Sequence, residues 1–202
     1  MTETPEQLAT RVESERADIR VALANVVLAW NDLENFLAVL LQTIMGSKEG
    51  LAFKIYFTPN NTETRLRLVE VALGHCHGIT GIDDDSLRQC MNKFVRNLQD
   101  AQGSRNKIAH YQIVMSPIGE VLHARLMPPI LNWNKALQTG LGKNELDQIA
   151  VRIAQCGQWA RRLSDILNPA PNMTPQTLLE KFTELKKSLN VDDPASCESK
   201  LP

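Results

Sequence analysis

The sequence predicts an all-α protein, and two observations carry the prediction. Apolar residues recur at steps of three and four along most of the chain, the spacing that puts side chains on one face of a helix. The first such stretch, residues 5–45, has no internal proline or glycine. With 202 residues, the chain is long enough to bury one well-formed core.

Five stretches have the helical pattern, and residue choice marks several of their ends. Asn60, followed by Glu63 three residues later, predicts a capped helix start, and Asn144 and Thr174-Pro175 predict two more. Between the first two helices lies a short apolar and aromatic segment, residues 50–57. The predicted helices are residues 5–45, 61–75, 87–110, 144–167 and 174–190.

One segment departs from the helical pattern. Residues 112–126 carry β-branched side chains on both sides of a turn signal at Ser116-Pro117-Ile118-Gly119, which predicts a small β-hairpin. Residues 127–143 are expected to be irregular, with Trp133 packing back on the core.

The prolines near residue 170 divide the predicted chain into a large domain and a terminal helix. Residues 1–168 form the helical domain, hairpin included, and residues 169–173 form a linker, because closely spaced prolines cannot continue a helix. The amphipathic helix 174–190 follows as a possible docking site for a protein partner, and residues 191–202 are expected to be disordered. On this reading, a chain truncated after Asn168 should stay folded.

Charge and targeting signals favour a protein that works inside the cell. The formal net charge is −1 and the pI is about 6.4, so any contact with RNA must be local. The N-terminus has neither a basic nor an apolar region of a secretory signal, which predicts a cytoplasmic protein. Polar residues interrupt the apolar stretch 21–45, so we expect a core helix and no membrane span.

The cysteines and histidines predict neither a metal site nor a cofactor. The four cysteines lack paired Cys-x-x-Cys spacing, which argues against a zinc ribbon or a disulfide framework. His75-Cys76-His77 has metal-binding residue types, but neighbours on a helix point about 100° apart and cannot converge on one ion unless the helix has already ended. We interpret them as a helix C-terminus ahead of Gly78, where histidine suits the helix dipole.

The first helix is apolar over more than half of its circumference. Its second half, residues 21–45, carries two neighbouring apolar rows, wider than the single face that a surface helix needs. Either other helices or a second subunit must cover it. We therefore expect a homodimer, which is the commonest assembly of soluble chains.

Two charged residues occupy positions that the helical spacing reserves for the core. The apolar pattern of residues 87–101 continues onto Arg105, and Glu34 interrupts an apolar row of the first helix. A buried ion pair between Glu34 and Arg105 would satisfy both, and such a pair could be purely structural.

The same arginine also belongs to a group with chemical potential. Asn106 and His110 lie four residues apart on a neighbouring face of the helix that carries Arg105. Imidazole transfers protons near neutral pH, and guanidinium binds phosphate in a bidentate fork. Together they suit RNA cleavage, in which a base assists the 2′-OH attack on phosphorus while arginine offsets the developing charge. That chemistry needs no metal.

These residues resemble a known superfamily. The segment Arg105-Asn106-Lys107-Ile108-Ala109-His110, preceded by a long helix bearing Ala29-Trp30-Asn31-Asp32-Leu33-Glu34-Asn35, resembles the HEPN superfamily of helical domains, which is characterised by an Arg-x4–6-His motif. The resemblance covers residues 21–167 and implies a HEPN-like helical bundle. Many members are metal-independent endoribonucleases whose active site forms where two subunits pair, and some are toxins of toxin–antitoxin pairs.

The resemblance assigns residue roles and also leaves an alternative open. Arg105, Asn106 and His110 would form the catalytic set, with Glu34 as an acidic partner. Other members keep the fold as non-catalytic interaction modules, and this chain could be one of them. For RNA binding, four basic residues could build a local rim: Arg65, Arg67, Lys93 and Arg96.

Overall fold

A computed structural model of the chain describes residues 3–47, 50–79, 81–118, 121–128 and 140–191. Within them the chain is mostly helical with one antiparallel hairpin, as predicted. The expectations for Trp133, the irregular residues 129–139 and the tail 192–202 lie outside the described residues. The elements are α1 Pro5–Met45, α2 Leu51–Phe57, α3 Thr62–Leu73, α4 Asp84–Ala109, β1 Gln112–Ile118, β2 Val121–Met127, α5 Lys143–Leu167 and α6 Pro175–Leu189.

Capping residues explain where several helices begin and end. Asn61, one residue later than predicted, caps α3 by accepting a hydrogen bond from the Thr64 amide at 2.7 Å. Thr174 caps α6 in the same way through the Thr177 amide at 3.2 Å. Asn190 ends α6 in the left-handed conformation, with φ of 53°, which asparagine tolerates better than most residues.

The chain divides into two compact units. The first unit contains Met1–Asn31 and Asp100–Ala154, and the second contains Asp32–Gln99 and Gln155–Pro202. The division falls within α1, α4 and α5, and it groups the terminal helix α6 with the second half of α5.

In the second unit, α1 and α5 approach each other closely. A Cβ atom at Gly157 would lie 3.0 Å from the Phe36 ring, so this mid-helix glycine makes room for the ring. Seven residues further along both helices, the hydroxyl groups of Thr43 and Ser164 lie 2.6 Å apart. Because both contacts advance by seven residues, α1 and α5 run parallel here.

The apolar stripe of α6 is part of the core of the second unit. Its buried members are Leu178, Phe182, Leu185 and Leu189. The chain itself covers this stripe, and docking of a protein partner through the terminal helix stays a prediction. The two prolines of the linker end a helix, but they do not end the folded core.

In the first unit, one carboxylate joins α1 to the hairpin. Glu15 accepts hydrogen bonds from Nδ1 of His123 at 2.9 Å, from the Ala124 amide at 2.8 Å and from Arg11 at 2.8 Å. Arg11 also donates to the carbonyl of Leu122 at 2.9 Å. Burial raises the pKa of Glu15, but these hydrogen bonds outweigh it and hold the pKa below its ordinary value of 4.5.

Part of the apolar cover of α1 remains exposed. Val21 and Leu28 are each 61% exposed, and the exposed Ala17 and Ala24 continue their row at steps of three and four. The buried residues Ala22 and Val26 lie on the other side of the helix. In the first unit, α1 therefore packs with one face and exposes an apolar row on the opposite face.

Candidate functional site

Arg105 lies near the C-terminal end of α4, in the first unit. Its guanidinium carbon lies 5.9 Å from the centre of the buried Trp30 ring, within the range of a cation–π contact. Its Nη1 donates to Oδ1 of Asn106 at 3.3 Å. Among the described residues these are the contacts of the guanidinium, which is half-buried with one face on an aromatic ring.

Asn106 and His110 are both exposed at this helix end. The buried Ile108 lies between them and anchors the last turn, and its carbonyl accepts a hydrogen bond from the Tyr111 amide at 3.2 Å. His110 directly follows the last helical residue, Ala109. The segment therefore presents a guanidinium, an amide and an imidazole at the surface.

Glu34 has a different partner from the one that the sequence indicated. Its Oε1 accepts a hydrogen bond from Nη1 of Arg65 at 2.9 Å, and the two side chains are only 13% and 19% exposed. The predicted ion pair between Glu34 and Arg105 is therefore wrong. The prediction that Glu34 pairs with an arginine is confirmed, but the arginine is Arg65. Glu34 is thus part of a structural ion pair in the second unit.

Further contacts fix Arg65 in that pair. Its Nε donates to the carbonyl of Pro59 at 2.9 Å, and its guanidinium lies 5.3 Å from the centre of the Phe57 ring. The nearby Tyr56 hydroxyl is buried without a hydrogen-bond partner in the described part of the chain. Burial, and then the charge of Glu34, raises the pKa of Tyr56.

The four basic residues predicted as an RNA-binding rim have different surroundings. Arg65 is engaged by Glu34, and Arg67 pairs with Glu70 at 2.7 Å. Arg96 lines a cavity of about 610 Å³ between α3 and α4, whereas Lys93 lines a separate groove between α4, α5 and α6. The RNA-binding rim stays a prediction.

His75, Cys76 and His77 lie beyond the end of α3, which stops at Leu73. The argument from helix geometry does not apply to them, because the helix has already ended. Sγ of Cys76 contacts the Ala72 carbonyl at 3.5 Å, and burial raises the pKa of this thiol. Within the described ranges, no three His, Cys, Asp or Glu residues converge as metal ligands.

No family model, curated protein or solved structure matches the chain. The resemblance to the HEPN superfamily therefore stays a prediction from the quoted residues. In the described part of the chain, no helix has the length and apolar character needed to cross a membrane.

Proposed function

We propose that this protein is an endoribonuclease that cleaves RNA at the exposed end of α4, with Arg105, Asn106 and His110 as its catalytic residues. One observation carries the proposal. Glu34 pairs with Arg65, so the purely structural explanation of Arg105, a buried ion pair with Glu34, no longer applies. A half-buried arginine oriented by Trp30 lies beside an exposed amide, and an exposed imidazole follows five residues further along the chain. These groups suit phosphate binding and proton transfer.

In the proposed reaction, His110 removes the proton of the RNA 2′-OH as that oxygen attacks the neighbouring phosphorus. The bond from phosphorus to the 5′ oxygen breaks, and that oxygen takes a proton from water. The products are a 2′,3′-cyclic phosphate and a free 5′-OH. Arg105 binds the non-bridging oxygens and offsets their developing charge, while Asn106 holds the guanidinium in place.

Cleavage of mixed RNA by the purified protein tests the proposal. His110→Ala should lower the rate roughly a hundredfold or more, the scale for losing a general acid or base. His77→Ala is the matched control, because His77 is also exposed but lies in the second unit. Reactions with and without a chelator test the metal independence that the resemblance implies. Cleavage undiminished in His110→Ala would place the activity elsewhere.

A second candidate is a non-catalytic dimeric interaction module, and the exposed row of α1 favours it. Val21 and Leu28 would be covered if two copies paired through this face. Light scattering should then give twice the chain mass of 22.6 kDa, and Leu28→Glu should give a monomer. A wild-type monomer at micromolar concentration would exclude the dimer. A dimer that leaves all RNA intact would favour the interaction module over the nuclease.

A further inference from the structure

A groove of about 540 Å³ lies in the second unit, where α4, the second half of α5 and the end of α6 meet. Its volume falls in the range of small-ligand sites. We call it the Trp159 groove, after the aromatic side chain that lines it. The other lining residues with polar or charged side chains that matter here are Lys93, Asn97, Gln155, Gln158 and Arg162.

The indole of Trp159 is held in a fixed orientation. Its Nε1 donates to Oγ of Ser188 at 3.1 Å, and that hydroxyl donates in turn to the Leu185 carbonyl at 2.9 Å. The polar edge of the ring is thus satisfied by α6, while the side chain remains partly exposed in the groove. Because the indole is already fixed in this way, little side-chain conformational entropy is lost when a planar ligand stacks on it.

The charge of the groove is positive. Among the ion pairs of the described residues, none involves Lys93 or Arg162. None of the described lining residues is acidic. These two cations are therefore available to an anionic ligand, although the whole chain carries a net charge of −1.

The amide side chains add directional hydrogen bonding. Asn97 and Gln155 line the groove with Gln158, and each amide offers both a donor and an acceptor. Purine and pyrimidine edges need this combination, because each presents donors and acceptors side by side. An aromatic plane, cations and amides in one groove thus match the three parts of a nucleotide that proteins recognise.

We propose that the Trp159 groove binds a nucleotide unit, with the base stacked on Trp159 and the phosphate on Arg162 and Lys93. A simple anion site would not need the fixed indole, and a purely apolar ligand would leave the two cations without a role. The ligand can be a free nucleotide or one residue of single-stranded RNA, since both carry the same chemistry. The inference does not depend on the proposed cleavage, because binding here needs none of Arg105, Asn106 and His110.

Binding is measured by calorimetry and by quenching of tryptophan fluorescence in the full chain carrying His110→Ala, so that cleavage cannot consume the RNA. The probes are AMP, a short single-stranded RNA and inorganic phosphate. AMP or the RNA should bind saturably, and Trp159→Phe should remove the fluorescence change. Comparing the affinity for AMP with the affinity for the short RNA distinguishes a free-nucleotide site from a strand-binding site.

Substitutions of the neighbouring residues Arg161 and Arg162 test whether binding takes place in the Trp159 groove. Arg162→Gln should weaken binding roughly tenfold or more, the scale for losing a charged hydrogen bond. Arg161→Gln should change it by no more than about twofold, because Arg161 is also exposed on α5 but does not line the groove. Both arginines are exposed, so neither change should unfold the protein. Equal losses in the two variants, equally tight binding of inorganic phosphate, or no saturable binding of AMP or RNA would overturn the proposal.

Discussion

Replacing Leu185 with alanine tests whether α6 belongs to the core of the second unit. Leu185 is 0% exposed, whereas Leu179, on the same helix, is 50% exposed. The two leucines therefore form a matched pair in which burial differs and helix propensity does not. Alanine is the best helix former, so neither substitution weakens the helix itself.

The buried position sets the expected magnitude. Truncating a buried leucine to alanine costs about 2–5 kcal/mol, from lost transfer free energy and the cavity left behind. In a chain of this size, each kcal/mol lowers Tm by roughly 2–4 °C. Leu185→Ala should thus lower Tm by about 4–20 °C. Leu179→Ala should change the free energy of unfolding by no more than about 0.5 kcal/mol.

Thermal unfolding followed by circular dichroism measures both shifts. Small and equal shifts would show that α6 does not pack as described, and the assignment of its stripe to the core would be refuted.

The same packing reverses the expectation for truncation after Asn168. Burying the four stripe residues contributes roughly 6–12 kcal/mol before entropy is counted, comparable to the whole stability of many domains. The truncated chain should therefore lose the fold of the second unit.

Two more predictions follow from the charged contacts. Arg65→Met should lower the free energy of unfolding by about 2–4 kcal/mol, because Glu34 stays largely buried without its partner. Arg105→Met should lower it by about 0.5–2 kcal/mol, the scale of a cation–π contact. Urea denaturation compares them, and equal losses would contradict the assigned partner of Glu34. Because the folded-state pKa of Glu15 is lowered, its contacts stabilise the protein above about pH 4.5 and are lost as pH falls through that pKa. The stability difference between wild type and Glu15→Gln should therefore shrink as pH falls below about 4.5, and a constant difference would contradict the Glu15 network.

The sequence by itself determined the longer helices and the hairpin, but not the helical state of residues 51–57, which form α2. The range predicted for the first helix, residues 5–45, coincides with α1. The outer limits of the hairpin lie within one residue of those expected, but Ser116, Pro117 and Ile118, which were predicted to form the turn, lie in β1. Helical periodicity and caps act over a few residues, so they can be read locally. The need of Glu34 for a cationic partner was also visible, because a carboxylate in an apolar row is costly alone.

Only the tertiary structure decided which groups meet. Glu34 and its partner Arg65 are 31 residues apart, and Glu15 and His123 are 108 apart, so no local spacing specifies either pair. The sequence led us to expect that the folded domain does not need the stripe of α6, since amphipathicity shows that a face needs cover but not what covers it. The Trp159 groove combines side chains from three helices, and its composition exists only once those helices have packed.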